Sequence, residues 1–171
     1  MRLDELHEKR HLWFDLDGVF ANFEKAAREL HKGDYHKLPP SEFWKPIVRE
    51  IDHFFYNLEV IPDSKSMLEY AKTLKGISLG VLTALPRPTG KAIQAKDDKI
   101  RWVKDNLDPH LFTQTVVGGI NKGKFCKSPQ DILVDDLQRN IDAWRKAGGI
   151  GILHTSPENT IKQLKEIFKT S

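Results

Sequence analysis

Two groups of aspartates stand out in the chain. Asp15 and Asp17 lie one residue apart in Asp15-Leu16-Asp17-Gly18-Val19, and Asp135 and Asp136 are adjacent after Ile132-Leu133-Val134. Each group closes a compact apolar run, HLWFDL at 11–16 and DILVDD at 131–136. Carboxylates are costly to gather unless a cation offsets their repulsion. Magnesium takes a few carboxylate oxygens and keeps positions for water and for phosphate oxygens. Gly18 lets the backbone turn tightly beside a ligand. Alone, Asp17-Gly18 also reads as a turn and Asp135-Asp136 as the N-cap of a helix starting near Leu137. Two separate apolar runs that both end in paired acids carry the signal.

The elements that would position these acids follow from the pattern of apolar runs. Besides 11–16 and 131–136 there are Ile77 to Thr83, Thr113 to Val117 and Ile150 to Leu153. Runs without strict alternation are what strands buried on both faces look like. Between them lie helix-length stretches. Asp63 to Leu74 puts Met67, Leu68, Ala71 and Leu74 on one side, and Leu137 to Ala147 does so with Ile141 and Trp144 before Gly148-Gly149 stops it. Ser156-Pro157 supplies an N-cap and a first helical proline for a helix carrying Ile161, Leu164 and Phe168. Strands alternating with helices predict an α/β fold, a parallel sheet of about five strands flanked by helices. Residues 20–59 break the rhythm: helical pieces interrupted by Pro39-Pro40, no good strand, and too long for a connection. They read as a small helical cap inserted after the first strand into one domain, with the core at about 11–19 and 60–171.

Ligands of open parallel sheets bind beyond the carboxyl ends of the strands. The residues there are Asp15 and Asp17, then Thr83 and Ala84, then lysines from Lys122 onward, then Asp135 and Asp136. Carboxylates, a hydroxyl and an ammonium group at one edge make a phosphate-and-metal site in composition.

At this point the motifs resemble those of the haloacid dehalogenase (HAD) superfamily: DLDGV its first motif, VLTA (Val81 to Ala84) its second and ILVDD its fourth. More narrowly, DGVFANF (17–23), FFYNLEVIPDS (54–64), LTALPRP (82–88), DKIRWV (98–103) and AGGIGILH (147–154) are similar to stretches of the 5′(3′)-deoxyribonucleotidases and their bacterial and phage relatives. The resemblance implies a Rossmannoid fold and a magnesium-dependent phosphomonoesterase. Asp15 would be the nucleophile and Asp17 the general acid and then base. Mg²⁺ would be held by the Asp15 carboxylate, the Asp17 main-chain carbonyl and Asp135 or Asp136, and Thr83 would hold phosphoryl oxygens. The third-motif lysine falls among Lys122, Lys124 and Lys127, with Lys122 the best fit and Lys124 second. Phe23 sits where these nucleotidases place an aromatic against the base, with Phe43-Trp44 as a candidate for the other wall. Asn22 departs from the pattern, standing where the relatives often have Asp. The implied partner is a small phosphorylated substrate, a deoxyribonucleoside monophosphate by the narrower resemblance.

Composition sets bounds on the rest. The chain has 171 residues, 39% apolar and 30% charged, with a formal charge of +3. That suits an anionic small substrate and makes no strong case for nucleic acid. Cys126 is the single cysteine, which excludes an intramolecular disulfide and reads as a small apolar filler. Residues 1–10 are charged and lack the apolar core of a secretory signal, and no run approaches a membrane span, so the expected location is the cytoplasm. Lys91 and Lys96 would raise local anion concentration if they faced the cleft. The competing readings are a phosphatase for another small phosphate or for a polynucleotide end, a non-catalytic HAD-fold binding protein, and a receiver domain, which also pairs acids with Mg²⁺. Oligomeric state is not legible.

Overall fold

The apolar runs form one parallel sheet in the computed structural model, which describes residues 9–169. The strands are β1 (Arg10–Phe14), β2 (Ile77–Ala84), β3 (Phe112–Val116), β4 (Ile132–Asp135) and β5 (Ile150–Leu153). They lie in the order β3-β2-β1-β4-β5, every adjacent pair parallel. The helices are α1 (Phe23–Leu30), α2 (Pro40–Arg49), α3 (Lys65–Lys72), α4 (Ala95–Asn106), α5 (Gln138–Lys146) and α6 (Pro157–Lys169).

The chain builds outward from β1 through β2 to β3, then returns to place β4 on the other side of β1. The reversal makes the crevice between β1 and β4 a topological switch point, the usual ligand position of such sheets. Phe14 pairs with Val81 on one side and Val134 on the other. β1 stops two residues short of the expected Leu16, so Asp15 is the first residue past the strand, its N–H still bonded to Val134 O at 2.8 Å. β3 begins one residue earlier than expected, at Phe112.

Alternation along β1 divides the core. Leu12 and Phe14 join the larger apolar cluster, whereas Trp13 joins Leu82, Leu133, Ile141 and Trp144 in a smaller one on the opposite face. Burying an indole strands its N–H unless an acceptor is supplied. Trp102 donates to Leu58 O at 2.7 Å and Trp144 to Asp131 O at 3.1 Å. Met67, Leu68 and Ala71 are buried from α3, and Ser156 Oγ caps α6 by accepting the Asn159 N–H at 3.1 Å. Cys126 packs against the smaller cluster, where burial pushes its thiol up.

Between β1 and α3 the described residues hold α1, α2 and a turn-rich stretch, with only isolated bridges in place of a strand. The Asn22 N–H bonds Glu59 O at 2.8 Å and the Ile61 N–H bonds Phe20 O at 2.7 Å, so the two ends of this segment lie side by side. Asn22 also caps α1, its side chain accepting the Lys25 N–H at 3.1 Å. Among the described residues no helix is long and apolar enough to cross a membrane.

Candidate active site

Asp15, Asp135 and Asp136 meet beyond the switch point, each offering an oxygen within 4.8 Å of the others. Lys122 is buried between two of them: its ammonium lies 2.9 Å from Asp15 Oδ1 and 2.8 Å from Asp135 Oδ2. It reaches in from a short 3-10 turn, Lys122–Phe125, whose start is fixed by Asn121 Oδ1 accepting the Gly123 N–H. Lys124 and Lys127, from the same stretch, are exposed. Burial would lower the Lys122 pKa, but Asp15 and Asp135 outweigh it and the net shift is upward.

The two late aspartates differ in how they are used. Asp135 is fully buried and accepts three hydrogen bonds: Oδ1 takes the Leu137 N–H at the start of α5, and Oδ2 takes Lys122 and the Asn140 amide. Asp136 Oδ1 is buried and has no partner among the described residues. Burial, then the charges of Asp15 and Asp135, push the Asp136 carboxyl up to about 8. Once ionised, a half-buried carboxylate with an oxygen to spare beside two buried acids completes a donor set for a cation. Gly18 makes the approach possible. Its φ is +82°, and a Cβ there would overlap the Asp136 carboxylate.

Asp17 stands apart from this cluster. Its Oδ2 receives a bond from Lys99 Nζ at 2.8 Å, and its Oδ1 is buried without a partner among the described residues. Burial raises the Asp17 pKa, Lys99 lowers it and Asp15 raises it, for a net upward shift. Lys99 also donates to Thr83 Oγ1 at 3.1 Å and Ala84 O at 2.6 Å, which uses all three ammonium hydrogens. Thr83, buried at the end of β2, thereby accepts from Lys99 and keeps its own hydroxyl hydrogen for another acceptor. Ala84, next along, is exposed and lends its carbonyl.

Sequence reasoning gave Lys99 no role. The missed signal lies in the stripe of α4: Ala95, Asp98, Lys99, Trp102 and Val103 are all buried at helical spacing, and two charged residues on such a stripe require partners. His154, buried after β5, was likewise not singled out; its N–H bonds Asp135 O and burial lowers its pKa against the pull of Asp15.

The insert brings Phe23 into an aromatic cluster with Phe43, Phe54 and Phe55. Phe23 and Phe55 face one another nearly parallel, 23° between planes and 6.2 Å between centroids. Phe43 also lies against Phe23, tilted by 39° with centroids 6.0 Å apart, whereas Trp44 stands edge-on to Phe43. The Phe55 ring also lies 4.7 Å from Lys99 Nζ, which joins the aromatic cluster to Asp17. Lys91 pairs with Asp52 at 2.8 Å and Lys96 is exposed.

No known family profile matches the chain, and no curated protein matches it significantly. Solved structures do. A hydrolase from Streptococcus pneumoniae is 13% identical with a TM-score of 0.51, over 95% of this chain and 100% of that one. A HAD family enzyme from Bacteroides thetaiotaomicron, in complex with magnesium and inorganic phosphate, is 16% identical with a TM-score of 0.50, over 86% of this chain and 95% of that one. The chain shares its fold with that enzyme, a Rossmann-like parallel sheet of five strands flanked by helices. At such identities the likeness concerns the fold.

Proposed function

We propose that this chain is a magnesium-dependent phosphomonoesterase that forms an aspartyl-phosphate on Asp15 and acts on (deoxy)nucleoside monophosphates, with the helical insert as its cap. The observation that carries this reading is the cluster of Asp15, Asp135 and Asp136 around the unpartnered Asp136 Oδ1, with the buried Lys122 at its side. Asp15, Asp17, Asp135 and Asp136 against Lys99 and Lys122 leave two formal negative charges, which one divalent cation balances. The donor set fits a hard cation: Asp15, the Asp17 main-chain carbonyl and Asp136 would hold Mg²⁺, with Asp135 committed to Lys122 and α5. Bound there, Mg²⁺ supplies the neutralisation that lets one anion approach another.

In this reading an Asp15 carboxylate oxygen attacks phosphorus and the bond to the leaving oxygen breaks. Asp17, held by Lys99, gives that oxygen its proton. Lys122 and the Thr83 hydroxyl take the phosphoryl oxygens. Asp17 then accepts a proton from water, whose oxygen attacks the phospho-aspartate, releasing phosphate and restoring Asp15. A nucleobase between Phe23 and Phe55 would orient the leaving group, since stacking on aromatic rings contributes about 1–3 kcal/mol per base. The near-parallel rings support this placement.

The test is phosphate release from a panel of nucleoside monophosphates and sugar phosphates, with Mg²⁺ and with EDTA. Activity lost on chelation and favouring deoxyribonucleotides is expected. Equal hydrolysis of sugar phosphates would remove the nucleotide and leave the phosphatase.

Two further outcomes follow from the site. Gly18→Ala forces a methyl group into the Asp136 carboxylate at a positive φ, and should reduce Mg²⁺-dependent turnover by roughly 100-fold or more. Unchanged turnover in steady-state assays would place Asp136 away from the cation. The second outcome concerns pH. With its carboxyl raised to about 8, Asp136 holds a proton in the folded chain that the unfolded chain has lost. Without cation, stability should therefore fall as pH rises from the ordinary carboxylate range to about 8; Asp17 and Asp135 shift the same way. Cation binding needs the ionised form, so Mg²⁺ should stabilise increasingly over the same window. Melting curves from pH 5 to 8, in EDTA and in Mg²⁺, check both signs; a flat or rising EDTA series would contradict them.

A further inference from the structure

Residues 52–58 of the insert run along α4, joined to it at successive turns. Lys91, just before α4, pairs with Asp52 at 2.8 Å, and Gln94 Oε1 accepts the His53 N–H at 2.8 Å. Asp98 Oδ1 meets His53 Nδ1 at 2.8 Å. Farther along, Asp105 accepts the Tyr56 hydroxyl at 2.7 Å, Arg101 lies on the Tyr56 ring at 4.4 Å, and Trp102 donates to Leu58 O. Inside this strap Phe55 rests on Lys99.

Most of these contacts are exposed polar pairs of the kind that contribute little. The His53–Asp98 contact differs. Asp98 is 2% exposed, its Oδ2 is buried without a partner among the described residues, and its Oδ1 meets the half-exposed His53 ring. A buried carboxylate so lightly compensated is costly to keep. His53 adopts φ +54°, a conformation most side chains avoid, and this backbone delivers its ring to Asp98. Both residues stand next to the catalytic machinery in sequence: Asp98 precedes Lys99, and His53 lies two residues before Phe55.

We propose that His53 and Asp98 are a positioning pair, a clasp that seats Phe55 on the Lys99 ammonium and thereby sets Asp17 for proton transfer to the leaving group. The proposal rests on the general-acid assignment of Asp17 given above. His53 touches no reacting atom; it acts through the strap and through Lys99, whose three hydrogens must all find their acceptors for Asp17 to be held in place. The insert would in this way report its own seating to the acid.

The test uses His53→Gly, which removes the ring and accepts the positive φ, and His53→Asn, whose Nδ2 occupies the place of Nδ1 and can donate to Asp98. Hydrogen exchange of the amides at 54–58 reads the clasp without reference to activity. It should accelerate about tenfold in His53→Gly and return to within about threefold of the parent in His53→Asn. Kinetics read the coupling. For an alkyl phosphomonoester, whose leaving oxygen needs a proton, kcat/KM should fall about tenfold in His53→Gly. For p-nitrophenyl phosphate, whose leaving group departs as an anion, it should stay within about twofold, and His53→Asn should recover most of the alkyl ester rate. Equal losses on both esters would overturn the positioning role, and unchanged exchange would overturn the clasp. A parent chain inactive on both esters, with exchange behaving as expected, would defeat the phosphatase reading and the coupling while leaving the clasp standing.

Discussion

Asp15→Asn is expected to lower Mg²⁺-dependent phosphate release by roughly 10⁴-fold or more, because the amide lacks the anionic oxygen that the first step requires. The substitution is nearly isosteric, and Asn Oδ1 can still accept from Lys122 in the place Asp15 Oδ1 now occupies. The fold should therefore survive, and circular dichroism and melting curves of the variant separate lost chemistry from lost structure. One negative charge leaves a site that holds four carboxylates against two ammonium groups, so cation affinity should fall as well. Steady-state assays at saturating Mg²⁺ distinguish the two effects: turnover restored by excess cation would make Asp15 a ligand alone and remove it as nucleophile.

Asp17→Asn should give the opposite division. Its side chain lies outside the carboxylate cluster and is bonded to Lys99, so cation binding should remain near the parent value. Asn Oδ1 can still accept from Lys99, which preserves the arrangement of Thr83 and Ala84. The lost element is the proton: turnover on alkyl phosphomonoesters should fall by about 10²–10⁴-fold. The upward displacement of the Asp17 pKa by burial is what lets this carboxyl hold a proton that an exposed one would release. If kcat/KM drops equally for p-nitrophenyl phosphate and for alkyl esters, Asp17 is not the acid. Magnesium titrations of the same variant check the other half.

Much of the fold was legible because parallel strands buried on both faces print themselves as apolar runs. All five runs became strands, with ends displaced by one or two residues where chain and ladder part, as at Asp15. The acids were legible for the same reason: a residue at the end of a buried strand has its position fixed by the strand. Lysines carry no such address. Lys122 stood out only by following the loop after β3, and Lys99 was hidden inside α4, where a charged residue is ordinarily solvated and only its place on the buried stripe marked it. The rings around Phe23 were only partly legible for a related reason. Phe43-Trp44 and Phe54-Phe55 are equivalent as aromatic pairs in the sequence, and tertiary packing sets Phe43 and Phe55 against Phe23 while Trp44 meets Phe43. The His53–Asp98 contact spans 45 positions and joins an irregular segment to a helix, so no local periodicity announces it. Residues 1–8, read as lacking a secretory signal, lie outside the described residues.

The central claim is that acids from two distant strand ends share one cation, and calorimetric titration of the metal-free protein with Mg²⁺ or Mn²⁺ tests it most directly. One site per chain is expected, abolished in Asp136→Asn, weakened in Asp15→Asn and retained in Asp17→Asn. A chain that takes up no cation, or binds it equally well after Asp136→Asn, would contradict the account.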